Sequence, residues 1–275
     1  MPRLNGAAVA GVAPFDLADR GLTLGDGLFE TIAVFGGRPA ALEAHLDRMV
    51  QSAAEIRLPV DRAMLEAEVA ALAGEGGDAV VRLTVTRGAG ARGLAIPDAC
   101  APTVIAARTP FPWATLGAPI RLATVSVQRN PTSFASRAKT LSYLDSVLAY
   151  DEARSAGADD ALMLNVHGRA ASTSMANLFA LFGRTLATPP VSEGVLPGIM
   201  RRLVLKLAPA LGLTPLERPL TRDDLSEAHA VFATNSVRLV MPVTALDGAA
   251  LAGQTRFVTA VADAVREACG ASRNG

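Results

Sequence analysis

The sequence predicts a mixed α/β (α+β) fold in two domains. Three observations carry this. Helical stretches with apolar residues at three- and four-residue steps are interspersed with short β-rich runs. The Pro- and Gly-rich segment TPFPWATLGAP (109–119) interrupts that pattern. The chain has 275 residues, half of them hydrophobic, which is enough to build two cores. The expected organisation is a small α/β domain over 1–112, a linker over 113–119 and a larger domain over 120–275.

The elements follow in order. LFETIAVFGGRPAAL (28–42) is β-rich around a Gly-Gly turn and reads as a hairpin. EAHLDRMVQSAAEIRL (43–58) is helical, with Leu46, Met49, Ala53 and Ile56 on one face. A second helix is expected over 61–73, then strands over 80–88 and 102–111. The larger domain opens with strand IRLATVSVQ (120–128). LSYLDSVLAYDEARSAG (141–157) is a helix whose expected inward face is Leu141, Leu144 and Leu148, ended by Gly157. Hairpins follow over 161–172, turning at His167-Gly168, and over 177–190, turning at Gly183-Arg184. GVLPGIMRRLVLKLA (194–208) leads through Pro and Gly into a helix with Ile199, Leu203 and Leu207 on one face, ended or kinked by Pro209. Strands over 229–235 and 238–246 and a helix near 255–269 close the chain.

Composition excludes several functions. Formal net charge is zero, and no basic stripe interleaves with aromatics, so nucleic acid is not the expected partner. No apolar run of about 18 residues is present, so no membrane span is expected. The first residues lack a signal-peptide core, which reads as a cytoplasmic start. Cys100 and Cys269 are far apart and fit no metal spacing, as expected in a reducing compartment. His45, His167 and His229 form no motif, so neither a metal site nor a histidine triad is expected. No G-x-G-x-x-G follows a strand, which removes a dinucleotide fold.

One stretch stands out. ASRAKTLSYLDS (135–146) contains Lys139, one of only two lysines; every other basic side chain of the Lys and Arg set is Arg. A surface charge can be either residue. A covalent bond to a carbonyl needs a primary amine whose proton can be removed, and guanidinium cannot supply it. The other lysine, Lys206, falls among Arg201, Arg202 and leucines and reads as an ordinary solvated side chain.

Six segments carry a resemblance: DRGLTLGDGLFET (19–31), HLDR (45–48), KTLSYL (139–144), GRAASTSMANLF (168–179), LPGIMR (196–201) and TNSVRLVMPV (234–243). In this order they resemble the fold-type IV pyridoxal-phosphate enzymes. That family holds branched-chain and D-amino-acid aminotransferases, R-selective amine transaminases and 4-amino-4-deoxychorismate lyases. The resemblance implies a two-domain fold, the smaller domain α/β and the larger a mixed barrel-like sheet, with pyridoxal 5'-phosphate between them and a homodimer as the working form. It makes Lys139 the Schiff-base lysine and the proton shuttle at the substrate carbon. It makes Arg48 a phosphate ligand and Tyr143 the partner of the phenolic oxygen. The backbone of Ile199 and Met200 takes the phosphate at a helix N-terminus, and the Asn235-Ser236 turn adds a phosphate contact. Many relatives have Thr where Met200 stands, and Met200 brings no hydroxyl.

Position 172 departs from the pattern. The family places Glu there, against the pyridine nitrogen, and this chain has Ser172. A hydroxyl holds a ring proton less well than a carboxylate. The weaker electron sink favours elimination over transamination. TRGAGARGL (86–94) resembles a segment of the aminodeoxychorismate lyase branch, with Leu94 in place of Tyr. The small-molecule substrate expected is therefore 4-amino-4-deoxychorismate, with Arg92 and Arg137 as candidates for its carboxylates, each with a structural or solvent-facing role as the alternative. An aminotransferase is the alternative activity. A cofactor-binding homologue without activity is the non-enzymatic reading.

Overall fold

The computed structural model describes residues 1–251 and 255–272, and the chain divides into two compact units. Among the described residues the first comprises Met1–Pro112, Ala138–Ser142 and Ser272; the second comprises Trp113–Arg137 and Tyr143–Ala271. The chain therefore changes unit at Pro112, returns for five residues around Lys139 and leaves again at Tyr143.

The first unit contains β1 (Arg3–Leu4), β2 (Ala7–Ala8), α1 (Arg20–Leu24), β3 (Gly27–Phe35), β4 (Arg38–Pro39), α2 (Leu42–Glu55), α3 (Arg62–Ala73), β5 (Ala79–Thr86) and β6 (Thr103–Pro110). Its six-stranded sheet runs β2-β1-β6-β5-β3-β4, all antiparallel. The expected hairpin turns at Gly36-Gly37, with Phe35 opposite Arg38. Leu46, Met49 and Ala53 of α2 and Leu65, Val69 and Leu72 of α3 bury against Ile32, Val34, Val81 and Leu83 of the sheet. Asp61 caps α3 by accepting from Ala63 and Met64.

The second unit contains β7 (Ile120–Thr124), α4 (Phe134–Arg137), α5 (Leu144–Ser155), β8 (Asp160–Leu164), β9 (Ala170–Ser172), β10 (Asn177–Phe182), β11 (Thr185–Thr188), α6 (Ile199–Leu207), β12 (Thr214–Glu217), α7 (Arg222–Glu227), β13 (Ala230–Asn235), β14 (Leu239–Leu246), β15 (Ala249–Ala250) and α8 (Arg256–Cys269). The sheet order is β12-β11-β10-β13-β14-β7-β8-β9, and β9 also pairs β10. That last pairing closes β10, β13, β14, β7, β8 and β9 into a six-stranded barrel. Its interior is apolar, with Leu122, Leu162, Leu178, Val231 and Met241 fully buried. No helix among the described residues is long and apolar enough to cross a membrane.

One expected face is reversed. Leu144 and Leu148 of α5 are exposed, at 68% and 50%, and Val147 is exposed beside them. Ser146, Ala149 and Ala153 form the buried side, and Ala149 and Ala153 pack with Ala123, Ala161 and Met163. Small residues let the helix approach β7 and β8 closely, and this outweighs the larger apolar stripe on the other side. The inward face of α6 also differs. Met200 and Val204 are buried and Leu203 and Leu207 only half-buried.

Candidate active site

In the first unit the Lys139 segment lies beside the start of β3. Phe29 N–H donates to the Lys139 carbonyl at 2.9 Å, and Leu141 N–H donates to the Gly27 carbonyl at 3.0 Å. Gly27 allows this approach, because a Cβ there would lie 2.5 Å from the Val85 carbonyl oxygen and 2.7 Å from a Leu141 methyl. The Lys139 amine sits 4.1 Å from the centre of the Phe29 ring, and the Arg82 guanidinium lies 3.8 Å from the same centre.

The DRGLTLGDGLFET motif explains how β3 is held. Asp19 accepts from Gly21 N–H at 2.7 Å and from the Thr86 and Thr103 hydroxyls at 2.7 and 2.9 Å. Asp26 accepts from Arg20 Nε at 2.9 Å and Arg87 Nε at 2.8 Å. Burial pushes the Asp26 carboxyl up, but the two guanidinium groups outweigh it and hold it below the usual range.

Arg48 lies in a buried cluster that sequence reasoning missed. Its Nε and Nη2 donate to Glu30 Oε1 and Oε2 at 2.8 and 2.6 Å. His45 Nδ1 donates to Oε2 at 2.7 Å, and its other ring nitrogen is buried without a partner. Burial raises the Glu30 carboxyl; Arg48 and His45 overcome this and hold it at about 2. The signal was present in the sequence as one acid inside the apolar run LFETIAVF, with His45 and Arg48 one helical turn apart on the next helix.

The remaining residues belong to the second unit. Tyr143 is the half-buried residue that precedes α5. Arg129, which sequence reasoning also missed, donates to Ser146 Oγ at 3.1 Å. Burial lowers its guanidinium, and the neighbouring Tyr143 and Asp145 oppose that shift. Ser172 is buried on β9, and its hydroxyl donates to the Thr173 carbonyl at 2.8 Å. Its oxygen is thereby left as an uncharged acceptor.

Ile199 and Met200 open α6, whose N-cap is Gly198 with no capping side chain. The first-turn amides of such a helix have no partner within it. The Met200 side chain turns away, with Sδ 3.7 Å from Cys269 Sγ. Burial pushes that thiol up to about 11. The preceding loop is fixed by Glu193, which accepts from Asn165 Nδ2 and Arg169 Nε, both at 2.6 Å. Asn235 Oδ1 accepts from Val237 and Arg238 N–H at 3.0 and 2.7 Å and so shapes the turn carrying Ser236. Thr234 Oγ1, just before this turn, is buried and unpartnered. Arg92 is exposed on a loop. Arg137 is exposed at the end of α4, its guanidinium 5.1 Å over Phe134. Lys206 is exposed in the last turn of α6.

In the second unit the uncapped start of α6 and the orphaned Thr234 hydroxyl suit a phosphate, and in the first unit the Lys139 primary amine suits an aldehyde. The comparisons agree. The amino-transferase class IV family model matches residues 27–246. A Methanocaldococcus jannaschii protein provisionally named a branched-chain-amino-acid aminotransferase is 37% identical over 86% of this chain and 84% of its own length. The Pseudomonas aeruginosa 4-amino-4-deoxychorismate lyase structure superposes with a TM-score of 0.85 at 32% identity, covering 97% of this chain and 98% of that one. A hypothetical aminotransferase of Mycobacterium tuberculosis, solved with pyridoxal phosphate bound, superposes with a TM-score of 0.86 at 25% identity, covering 97% and 96%. The chain belongs to the class IV aminotransferase family, the fold-type IV enzymes that work with pyridoxal 5'-phosphate.

Proposed function

We propose that the chain is a lyase that releases pyruvate from 4-amino-4-deoxychorismate and leaves 4-aminobenzoate. The observation that carries this reading is Ser172, a buried neutral oxygen at the place where the family resemblance puts a carboxylate. Bound pyridoxal phosphate supplies an aldehyde for the amine and a ring that takes up the electron pair of a broken C–H bond. Lys139 holds the cofactor through its amine and moves the proton at the amine-bearing carbon of the substrate. Ile199 and Met200 give their amides to the phosphate, and Ser236 gives its hydroxyl. Arg48, braced by Glu30, adds a buried permanent cation that suits a dianion. Tyr143, with Arg129 beside it, orients the phenolic oxygen. Arg92 and Arg137 meet the substrate carboxylates. A neutral oxygen at 172 would hold a proton on the ring nitrogen of the bound cofactor less firmly than a carboxylate would. Loss of a leaving group and formation of an aromatic product then carry the reaction forward.

Aminotransfer is the second reading, supported by the 37% identity to the Methanocaldococcus jannaschii protein. We also propose a homodimer acting in the cytoplasm. Supporting the dimer is the exposed apolar stripe Leu144, Val147 and Leu148 on α5.

The test mixes the cofactor-loaded enzyme with 4-amino-4-deoxychorismate and follows pyruvate beside the visible spectrum. Many turnovers with the yellow band retained are expected, and none from Lys139→Ala, which also loses the band. A yellow protein that releases no pyruvate sinks the lyase reading, and amino donors are then tried.

A further inference from the structure

Gly198 has φ −65° and ψ 141°, a backbone open to any residue, so conformation does not require glycine there. Space does. A Cβ on Gly198 would lie 1.9 Å from Asn177 Oδ1 and 3.1 Å from Asn177 Cγ. The other end of the same amide, Nδ2, donates to the Leu196 carbonyl at 2.9 Å. One buried side chain thus backs the whole Leu196–Gly198 turn that delivers the chain into α6.

Asn177 is also the first residue of β10, opposite Ser172 on β9 and opposite Thr234 on β13. It touches the turn before α6 and pairs in the ladder with both neighbouring strands. We infer that Asn177 is a positioning residue, setting the phosphate-binding amides of α6 at a fixed spacing from the strand segment around Ser172. The inference rests on the pyridoxal-phosphate reading above. That cofactor is a rigid ring with a short phosphate arm, so a protein that grips both ends must hold them at one separation. The amide does so by bracing the turn from behind, without being a ligand itself.

The test titrates the intact protein with pyridoxal phosphate and with pyridoxal, which has the ring but no phosphate, and records the ³¹P resonance of the bound phosphate. Asn177→Ala is expected to weaken pyridoxal phosphate binding about tenfold, as one lost hydrogen bond at the turn implies. It is expected to leave pyridoxal binding within roughly twofold, and to shift the resonance. Gly198→Ala is expected to do the same by pushing on the amide from the other side. Combining the two is expected to cost less than their separate effects together, because removing the amide makes room for the methyl. Should Asn177→Ala not fold, Gly198→Ala decides alone. An unmoved ratio of the two affinities overturns the inference, as does equal weakening of both ligands. Wild-type protein that takes up no pyridoxal phosphate overturns the functional reading first and this inference with it.

Discussion

At the scale of single residues, Lys139 and Ser172 show what a sequence can and cannot convey. Lysine at 139, in a chain whose one other lysine is Lys206, was the letter that pointed to a primary amine. Nothing in the letters tells that this amine rests on Phe29, because the contact depends on five residues crossing to β3. Ser172 was legible as a departure from the pattern the family resemblance implies, but the direction of its hydroxyl was not. The proton goes to the Thr173 carbonyl, which leaves the oxygen able only to accept. Ser172→Glu is therefore expected to raise conversion of the cofactor to its amine form by amino donors about tenfold, one pKa unit of added preference for the ring proton being worth that much. Stopped-flow absorbance reads the rate. An unchanged rate in a variant that still binds cofactor would remove Ser172 from the ring nitrogen.

Between β3 and α2 the important interaction is the Glu30 carboxylate shared by Arg48 and His45. Its pKa of about 2 lies below the ordinary 4.5. A depressed folded pKa means stabilisation that is complete above the unfolded value and lost as pH falls from about 4.5 through about 2. The difference corresponds to about 3 kcal/mol by linkage. Glu30→Gln leaves a buried guanidinium without its counter-charge, and a cost of about 3–5 kcal/mol at neutral pH is expected. Urea midpoints across pH 2–7 check both statements. The wild-type curve should fall through that window and the variant curve should be flatter there; parallel curves would refute the assignment. Periodicity located α2 well, since Leu46, Met49 and Ala53 dictate one side of a helix unambiguously. It located α5 but chose the wrong inward face, because two faces compete there, a leucine stripe and a Ser146–Ala149–Ala153 seam. Only the distance to β8 decides between them, and sequence period carries no distance.

For the whole molecule, the exposed stripe on α5 calls for a covering surface, and a second copy of the chain is the occupant proposed. Leu148→Glu is expected to turn a sedimenting dimer into a monomer at micromolar concentration, with the barrel's far-ultraviolet spectrum unchanged. A wild-type monomer, or a variant that stays dimeric, would rule the stripe out as the interface. The division into units, by contrast, has a consequence for inheritance. The chain crosses from one unit to the other at Pro112, between Arg137 and Ala138, and again between Ser142 and Tyr143. A gene cut at the obvious Pro-rich joint would hand one descendant the aromatic cradle and the other the lysine that rests in it. A split protein made of residues 1–112 and 113–275 would have to knit five residues of the second fragment onto the sheet of the first to rebuild that unit.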